Sequence, residues 1–545
     1  MRQAAMALVA ALASGASLHG AERDISLAEA IDRALDRNHE IAVQREAVDI
    51  AAANLQRADG SYDPEFRLDF QWQDQTEAIN FIFSGAPPGS VGPHSEGVLG
   101  QAAISELLPT GGTVTLGTTI ARDTTNNIFT LLTPSYSTFV GIDLRQPLLQ
   151  NREIDPQRRV IQVARLEKDQ SIATLQAVVA DTIAGVERAY WTLVAAERDV
   201  VVRAESVRLA QIQETDTQAR IRAGDVSESD IAVPQAEVER RRVDLYAARE
   251  SAQRAALDLK TLILDDPADP LWEEALRPTD APETAVVPLD LPDRLSQAPA
   301  RRPEVAQAEA ELAQRDVDSR AAKNRILPRL DLVASYGRYG LAGTVNPNLA
   351  TFPGFPVVIP PEIVGGLSRS YGTIGDNDFP DATVGFSFAL PIGNRSAKAD
   401  AAAAEAERRQ AAIVVAQQKQ KVGVEVRAAA LAVETAAQSI EAARAGLRAA
   451  RTQLEAENVR FAAGLTSNYF VLTRQNELAE ATRTETAALT GYRKALADYA
   501  RASGTLLAER HIEFAEDGAP TGTGTSAAAA TGRGAERRAS QGGSR

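Results

Sequence analysis

Between Glu65 and Gln73 every second residue is apolar: Phe66, Leu68, Phe70 and Trp72 share one side, Arg67, Asp69, Gln71 and Gln73 the other. That period of two is a strand with one dry face and one wet face. Thr138 to Arg145 repeats it, with Val140, Ile142 and Leu144 against Asp143 and Arg145. So do Leu330, Leu332, Ala334 and Tyr336 against Arg329, Asp331 and Ser335, and Val384, Phe386, Phe388 and Leu390 against Thr383, Ser387 and Ala389. The pattern predicts strands at about 65–74, 138–146, 329–338 and 382–391. About ten residues is the length of a tilted bilayer crossing, and charges on one face suit a strand between lipid and a watery lumen. A strand of a soluble sandwich would alternate too. The pairing of these strands around polar Gly/Pro/Asn-rich loops, 75–96 and 340–380, expected at the surface, favours the barrel. Four such strands cannot close a barrel in one protomer, so closure requires several chains. An additional hairpin at about 98–121, turning at Leu108–Gly112, occurs in the first half only. The sequence leaves open whether it adds wall strands or packs at the barrel mouth.

Elsewhere the period is helical. Apart from Pro156 at the start of the first run, residues 155–222 and 395–461 contain no proline, only the isolated glycines Gly185, Gly423 and Gly446. Val178, Val179, Ile183, Val186 and Tyr190 keep an apolar stripe, and alanine at many seam positions lets neighbouring helices approach closely. Each run approaches 70 residues, or about 100 Å at about 1.5 Å per residue. Globular helices are much shorter, so a coiled coil or helical tube is predicted. Each run ends at a glycine, Gly224 or Gly464, where a left-handed residue lets the chain reverse. Return helices are predicted at about 228–264 and 469–507, and shorter ones at 27–57 and 303–326.

These elements come twice. Asn38-His39-Glu40-Ile41 and Arg302-Pro303-Glu304-Val305 open the same kind of run, ending at Pro64 and Pro328; Pro147 matches Pro391 and Gly224 matches Gly464. A duplicated unit predicts quasi-symmetric halves. The expected organisation is a signal peptide at 1–21, a first repeat at 22–264, a Pro/Asp-rich linker region at 265–295, a second repeat at 296–510 and a disordered tail at 511–545.

Composition narrows the function. Net charge is −15, which argues against a nucleic-acid partner. Arg2, the apolar run Ala4–Leu12 and small residues up to Ala21 read as a secretory leader. There is no cysteine, hence no site for an N-terminal lipid. No stretch reaches the roughly 20 apolar residues of a membrane helix, so a secreted chain of this kind enters a membrane only as a closed barrel. The four histidines are scattered and no phosphate loop is present, so no catalytic residue, metal or cofactor is expected and the chain is not read as an enzyme. Both methionines lie in the leader, which argues against a soft-metal relay in the duct.

The chain resembles the TolC-type outer-membrane efflux factors. The residues concerned are Ser26-Leu27-Ala28-Glu29-Ala30-Ile31 through Asn38, Pro64, Gln146-Pro147-Leu148-Leu149 and the two glycine turns, in order over about 26–507. The resemblance implies an α+β membrane protein of two internal repeats, a homotrimer whose β-barrel continues into a long periplasmic α-helical barrel. It also implies an outer-membrane exit duct for efflux or type I secretion, partnered by a periplasmic adaptor (membrane fusion) protein and an inner-membrane transporter. By match, the adaptor-docking tips are Gly224, Asp225 and Val226 with Gly464, Leu465 and Thr466, and residues 266–295 form a small mixed region at the tube's waist. The aperture positions are Asp230, Phe470 and Thr473, where only Asp230 keeps a carboxylate. Phe461 and Thr466 replace the hydroxyl and arginine that tie the gate in some members, which argues against a salt-bridged gate. Phe470 is either a ring that gates by dewetting or a packed core residue. The rival reading is a secreted coiled-coil protein that tethers envelope layers.

Overall fold

The computed structural model describes residues 22–79, 81, 83–224, 226–282, 288–351, 357–515 and 520–521. The expected leader, Asp225 and most of the tail lie outside the described residues. In chain order the elements are β1 (Glu22–Ile25), α1 (Leu27–Arg37), α2 (His39–Asp59), β2 (Glu65–Thr76), β3 (His94–Leu107), β4 (Thr113–Thr125), β5 (Leu132–Pro147), α3 (Pro156–Ala223) and α4 (Ala232–Ile263). There follow β6 (Ala275–Pro278), α5 (Leu291–Arg301), α6 (Pro303–Asn324), β7 (Arg329–Val345), α7 (Leu367–Asp376), β8 (Phe379–Ala389), α8 (Arg395–Ala462), α9 (Asn468–Ala502), α10 (Leu506–Glu509), β9 (Glu513–Phe514) and β10 (Pro520–Thr521). The two long helices, α3 and α8, are each 68 residues. The chain divides into two compact units: Met1–Ile50, Asp169–Glu309 and Ile413–Arg545 form one, Ala51–Lys168 and Ala310–Ala412 the other.

The second unit is built on one antiparallel sheet of six strands in the order β2-β3-β4-β5-β7-β8. The additional hairpin, as β3 and β4, therefore stands inside the sheet between β2 and β5. Register aligns the alternation of all six strands. One row runs Phe66, Ile104, Leu116, Ile142, Tyr336, Ala382. That face is apolar over most of its rows, with Glu96, Arg122 and Arg338 on it further along, and Phe66, Leu68, Phe70, Trp72, Phe386 and Phe388 on it are exposed. The opposite face carries Arg67, Asp69, Gln71 and Asp143, and an ion pair between Arg145 and Asp331 of 2.6 Å.

The loop expected over 340–380 is corrected at both ends: β7 runs to Val345 and α7 packs on β5 and β7. Its seat explains why hydropathy missed it. Thr138 and Ser370 share a hydroxyl hydrogen bond of 2.8 Å, and Thr373 Oγ1 accepts the Leu341 N–H at 3.2 Å. A Cβ on Gly340 would lie 2.0 Å from the Ser370 carbonyl oxygen, so only glycine permits this approach.

The first unit packs the helices. Val179, Ile183, Val186, Tyr190, Trp191 and Leu193 of α3 are buried against Leu259 and Ile263 of α4 and Ile31 and Leu35 of α1. Burying each side chain of this size stabilises by about 1.5–3 kcal/mol. A second cluster joins Val422, Val426, Val433 and Ile440 of α8 to Leu489, Tyr492 and Tyr499 of α9. The single helix expected over 27–57 is two. At Asn38 the backbone is extended; its Oδ1 accepts the Glu40 N–H at 2.9 Å, and its Nδ2 donates to the Leu262 carbonyl at 3.0 Å. A side chain that caps the following helix and ties the break to α4 makes the break stable.

Residues 266–295 contain β6, which pairs in parallel with β1, a strand too short for periodicity to predict. The tail also needs correction. Ile512 is buried and β9 pairs with β10, so the described part of 511–521 belongs to the fold.

Candidate functional site: the hairpin ends

The long helices end alike. Gly224 has φ 81° and Gly464 φ 71°, the left-handed conformation that ends a helix without a Cβ clash. The Gly224 N–H donates to Ile221 O and the Gly464 N–H to Phe461 O, both at 3.0 Å. At the second turn the Leu465 N–H also reaches Arg460 O at 2.9 Å, closing a Schellman-type cap. A Cβ on either glycine would meet nothing within 4 Å, so backbone conformation and not crowding calls for glycine.

Beyond the turns the two ends diverge. After Gly224, Ser227 and Asp230 form a capping box, in which the Asp230 carboxylate accepts the Ser227 N–H at 3.1 Å. Val226 is half-buried, and Ser227, Glu228 and Asp230 are exposed. After Gly464, Ser467 caps α9 without a side-chain hydrogen bond. Apolar side chains stand in the open: Leu465 is 78% exposed, Tyr469 64% and Phe470 50%. Phe470 lies edge-on to Tyr469, with ring centroids 5.6 Å apart, so in the protomer it is not a packed core residue. Thr473 Oγ1 is turned back to the Tyr469 carbonyl at 2.8 Å, and Thr466 is half-buried.

The two ends touch. The Arg220 guanidinium sits 4.6 Å from the centre of the Phe461 ring, and Asn468 Nδ2 is 3.3 Å from Thr217 Oγ1. Phe461 thus holds a cation–π contact with the first hairpin.

Further along the hairpins is a feature that sequence reasoning passed over. Arg241 of α4 is 2% exposed. Its guanidinium donates to Glu237 at 2.8 Å, to the Ser206 carbonyl at 2.8 Å and to the Leu472 carbonyl of α9 at 3.4 Å. Asn476 Nδ2 of α9 donates to the same Glu237 at 3.2 Å. Burial pushes the Glu237 carboxyl up, but hydrogen bonds from Arg240, Arg241 and Asn476 outweigh it and bring its pKa to about 2. Arg483 of α9 pairs with Asp199 of α3 at 2.5 Å, and Arg203 with Asp244 at 3.0 Å. A signal was available: Arg241 falls on the buried stripe Pro234, Val238, Leu245, Ala248 and Ala252, where a charge needs partners.

Among the described residues no group of three or more His, Cys, Asp or Glu could hold a metal, and no helix is long and apolar enough to cross a membrane.

Residues 294–505 match the outer membrane efflux protein family. A segment of 179 residues is 27% identical to Protein CyaE of Bordetella pertussis; it is 33% of this chain and 37% of that relative, so the match spans little more than a third of it. The fold is similar to the Campylobacter jejuni CmeC outer membrane channel, at 17% identity and TM-score 0.59 over 88% of this chain and 86% of that one. It is also similar to the Neisseria gonorrhoeae MtrE outer membrane channel in its open state, at 18% identity and TM-score 0.57 over 88% and 89% of the two chains. The Vibrio cholerae outer membrane protein VceC superposes with TM-score 0.58 at 13% identity over 88% and 96%.

Proposed function

We propose that this chain, which carries an outer membrane efflux protein domain and the fold of the TolC-type channels, is the outer-membrane exit duct of a tripartite efflux or type I secretion system. It acts as a passive channel and not as an enzyme. One observation carries the reading: a sheet with a broad, exposed apolar face belongs to the same chain as two 68-residue helices. A coiled-coil tether would need the helices and have no use for the sheet. In this reading the apolar face meets outer-membrane lipid, the helical hairpins stand in the periplasm, and three copies complete the duct. Gly464, Leu465 and Thr466 dock the hairpins of a periplasmic adaptor, with Gly224, Asp225 and Val226 beside them, and the adaptor is held by an inner-membrane transporter. Asp230, Phe470 and Thr473 line the periplasmic aperture. Exposed Phe470 supports an apolar constriction there, while the Asp230 carboxylate is shared with the turn it caps.

The test is purification from membranes. Detergent-dependent extraction, heat-modifiable migration and a native mass of three chains are expected; a protein soluble without detergent rejects the duct. In planar bilayers the purified protein should conduct with a preference for cations, given a net charge of −15. Reversal potentials that show anion selectivity contradict the aperture assignment.

A further inference from the structure

The sheet has two edges, β2 and β8, each with one neighbour among the described residues. Both belong to the apolar band, where an edge strand presents a row of N–H and C=O groups that lipid cannot satisfy. Each unsatisfied group would cost several kcal/mol, so both edges must be paired. The strand count sets what pairs with them. Six antiparallel strands place β8 opposite in direction to β2, so the β8 edge of one copy meets the β2 edge of the next as a normal antiparallel pair.

The register of that seam can be derived. The row of facing residues through Glu65 runs Ser105, Thr115, Asp143, Ser335 and ends at Thr383. Glu65 is the first residue of β2, yet β8 continues past Thr383 to Ala389, six residues further. A seam without stagger would leave those six residues unpaired in hydrocarbon. A stagger of six brings Ala389 opposite Glu65 and pairs the two strands along their whole lengths. Because six is even, every side chain keeps its face. Phe388 then stands opposite Phe66, Phe386 opposite Leu68 and Val384 opposite Phe70; Ser387 and Thr383 meet Arg67 and Gln71 on the polar face. Aromatic and β-branched pairs of this kind are the favourable cross-strand contacts.

We infer that three copies close an eighteen-stranded barrel (six strands in each) through a β2–β8 seam with Phe388 opposite Phe66. This rests on the trimeric-duct reading above and adds the wall's strand number and register. The stagger supports it independently. Six residues per copy make a total shear of eighteen, equal to the strand number, and a barrel with shear equal to strand number tilts its strands by about 36°. That lies within the 35–45° or so of outer-membrane barrels. Eighteen strands enclose an aqueous channel in place of a side-chain-filled core. The hairpin of β3 and β4 supplies six of the eighteen, so it widens the duct within the membrane.

The chain has no cysteine, which makes the seam directly testable. In the full-length protein, Leu68→Cys with Phe386→Cys should give, on oxidation in mild detergent, a covalent species of three chains on a denaturing non-reducing gel; neither single variant should. Gln71→Cys with Thr383→Cys tests the same register from the polar face, and serves if the first pair disturbs insertion. Glu65→Cys with Thr383→Cys reports the unstaggered seam. Cross-linking by this last pair alone overturns the register. A closed covalent species of two chains overturns the eighteen-stranded wall. A native mass of three chains with no cross-link from any pair overturns the seam but leaves the trimeric duct standing. A monomer in detergent rejects both.

Discussion

The end of the first helical hairpin and the end of the second share one backbone turn and present opposite surfaces. Both reverse through a glycine at φ of 81° or 71°. The first then spends its polar groups on itself, with Ser227 and Asp230 capping each other. The second leaves its N-cap unused and exposes Leu465, Tyr469 and Phe470. A duplicated turn needs the same conformation in both copies, because each must reverse a helix. It does not need the same side chains, because only one copy has to offer apolar surface. Exposed aromatics of this kind are what a docking surface uses. In the proposed duct, the second end would make the main adaptor contact and the first a supporting one.

The largest effect is expected from cutting the link that holds the two hairpins together. Arg241→Ala leaves Glu237 to Arg240 and Asn476 and frees the buried Leu472 and Ser206 carbonyls. Each carbonyl left unsatisfied costs about 1–3 kcal/mol. Hydrogen exchange should accelerate in α4 and α9 near this level while the β-sheet stays protected; unchanged exchange in α9 shows that the link carries no stability. Acid should act on the same link. The Glu237 pKa is depressed to about 2, so its contribution is complete above the unfolded value near 4.5 and is lost as pH falls through about 2. Glu237→Gln should therefore flatten the acid-induced rise in α9 exchange over that window, and an unaltered pH profile would falsify the assignment.

Next comes the comparison itself. A β-branched residue at φ near 70° is strained by about 1–2 kcal/mol, and nothing surrounds either glycine to add a clash. Gly464→Val should keep normal trimer levels and weaken adaptor pull-down by about tenfold, equivalent to about 1.4 kcal/mol. Gly224→Val should weaken it less. Equal losses at the two turns, or none at Gly464, break the asymmetry. The smallest effect concerns Asp230. Asp230→Ala removes a cap worth about 1 kcal/mol and should fray residues 228–231. Asp230→Asn keeps an acceptor and removes the charge, so a reduced cation preference in that variant alone places the carboxylate at the aperture.

Much of the molecule was legible in the chain because its elements are long and strictly periodic. The helices expected at 155–222 and 395–461 are Pro156–Ala223 and Arg395–Ala462, since over so many turns the apolar stripe and an interior without proline leave no rival conformation. Phe66 to Trp72 and Val384 to Phe388 lie on one face, as period two demands. The glycine turns were equally plain, because few residues tolerate a left-handed backbone. What failed was short or depended on partners. The β1–β6 pair, α7 on Gly340, the break at Asn38 and the ordered start of the tail are each held by a few contacts from distant residues. Buried Arg241 was missed for the same reason.

The sequence by itself therefore determined the long helices and the long strands, which strand face is apolar and where the long helices reverse, since these follow from local periodicity and backbone sterics. Tertiary structure alone decided that β3 and β4 stand between β2 and β5, that Arg241 ties α4 to α9, and that Phe461 takes Arg220 as its partner. Strand order and ion pairing depend on which surfaces meet in space, and alternation along one strand carries no information about its neighbour.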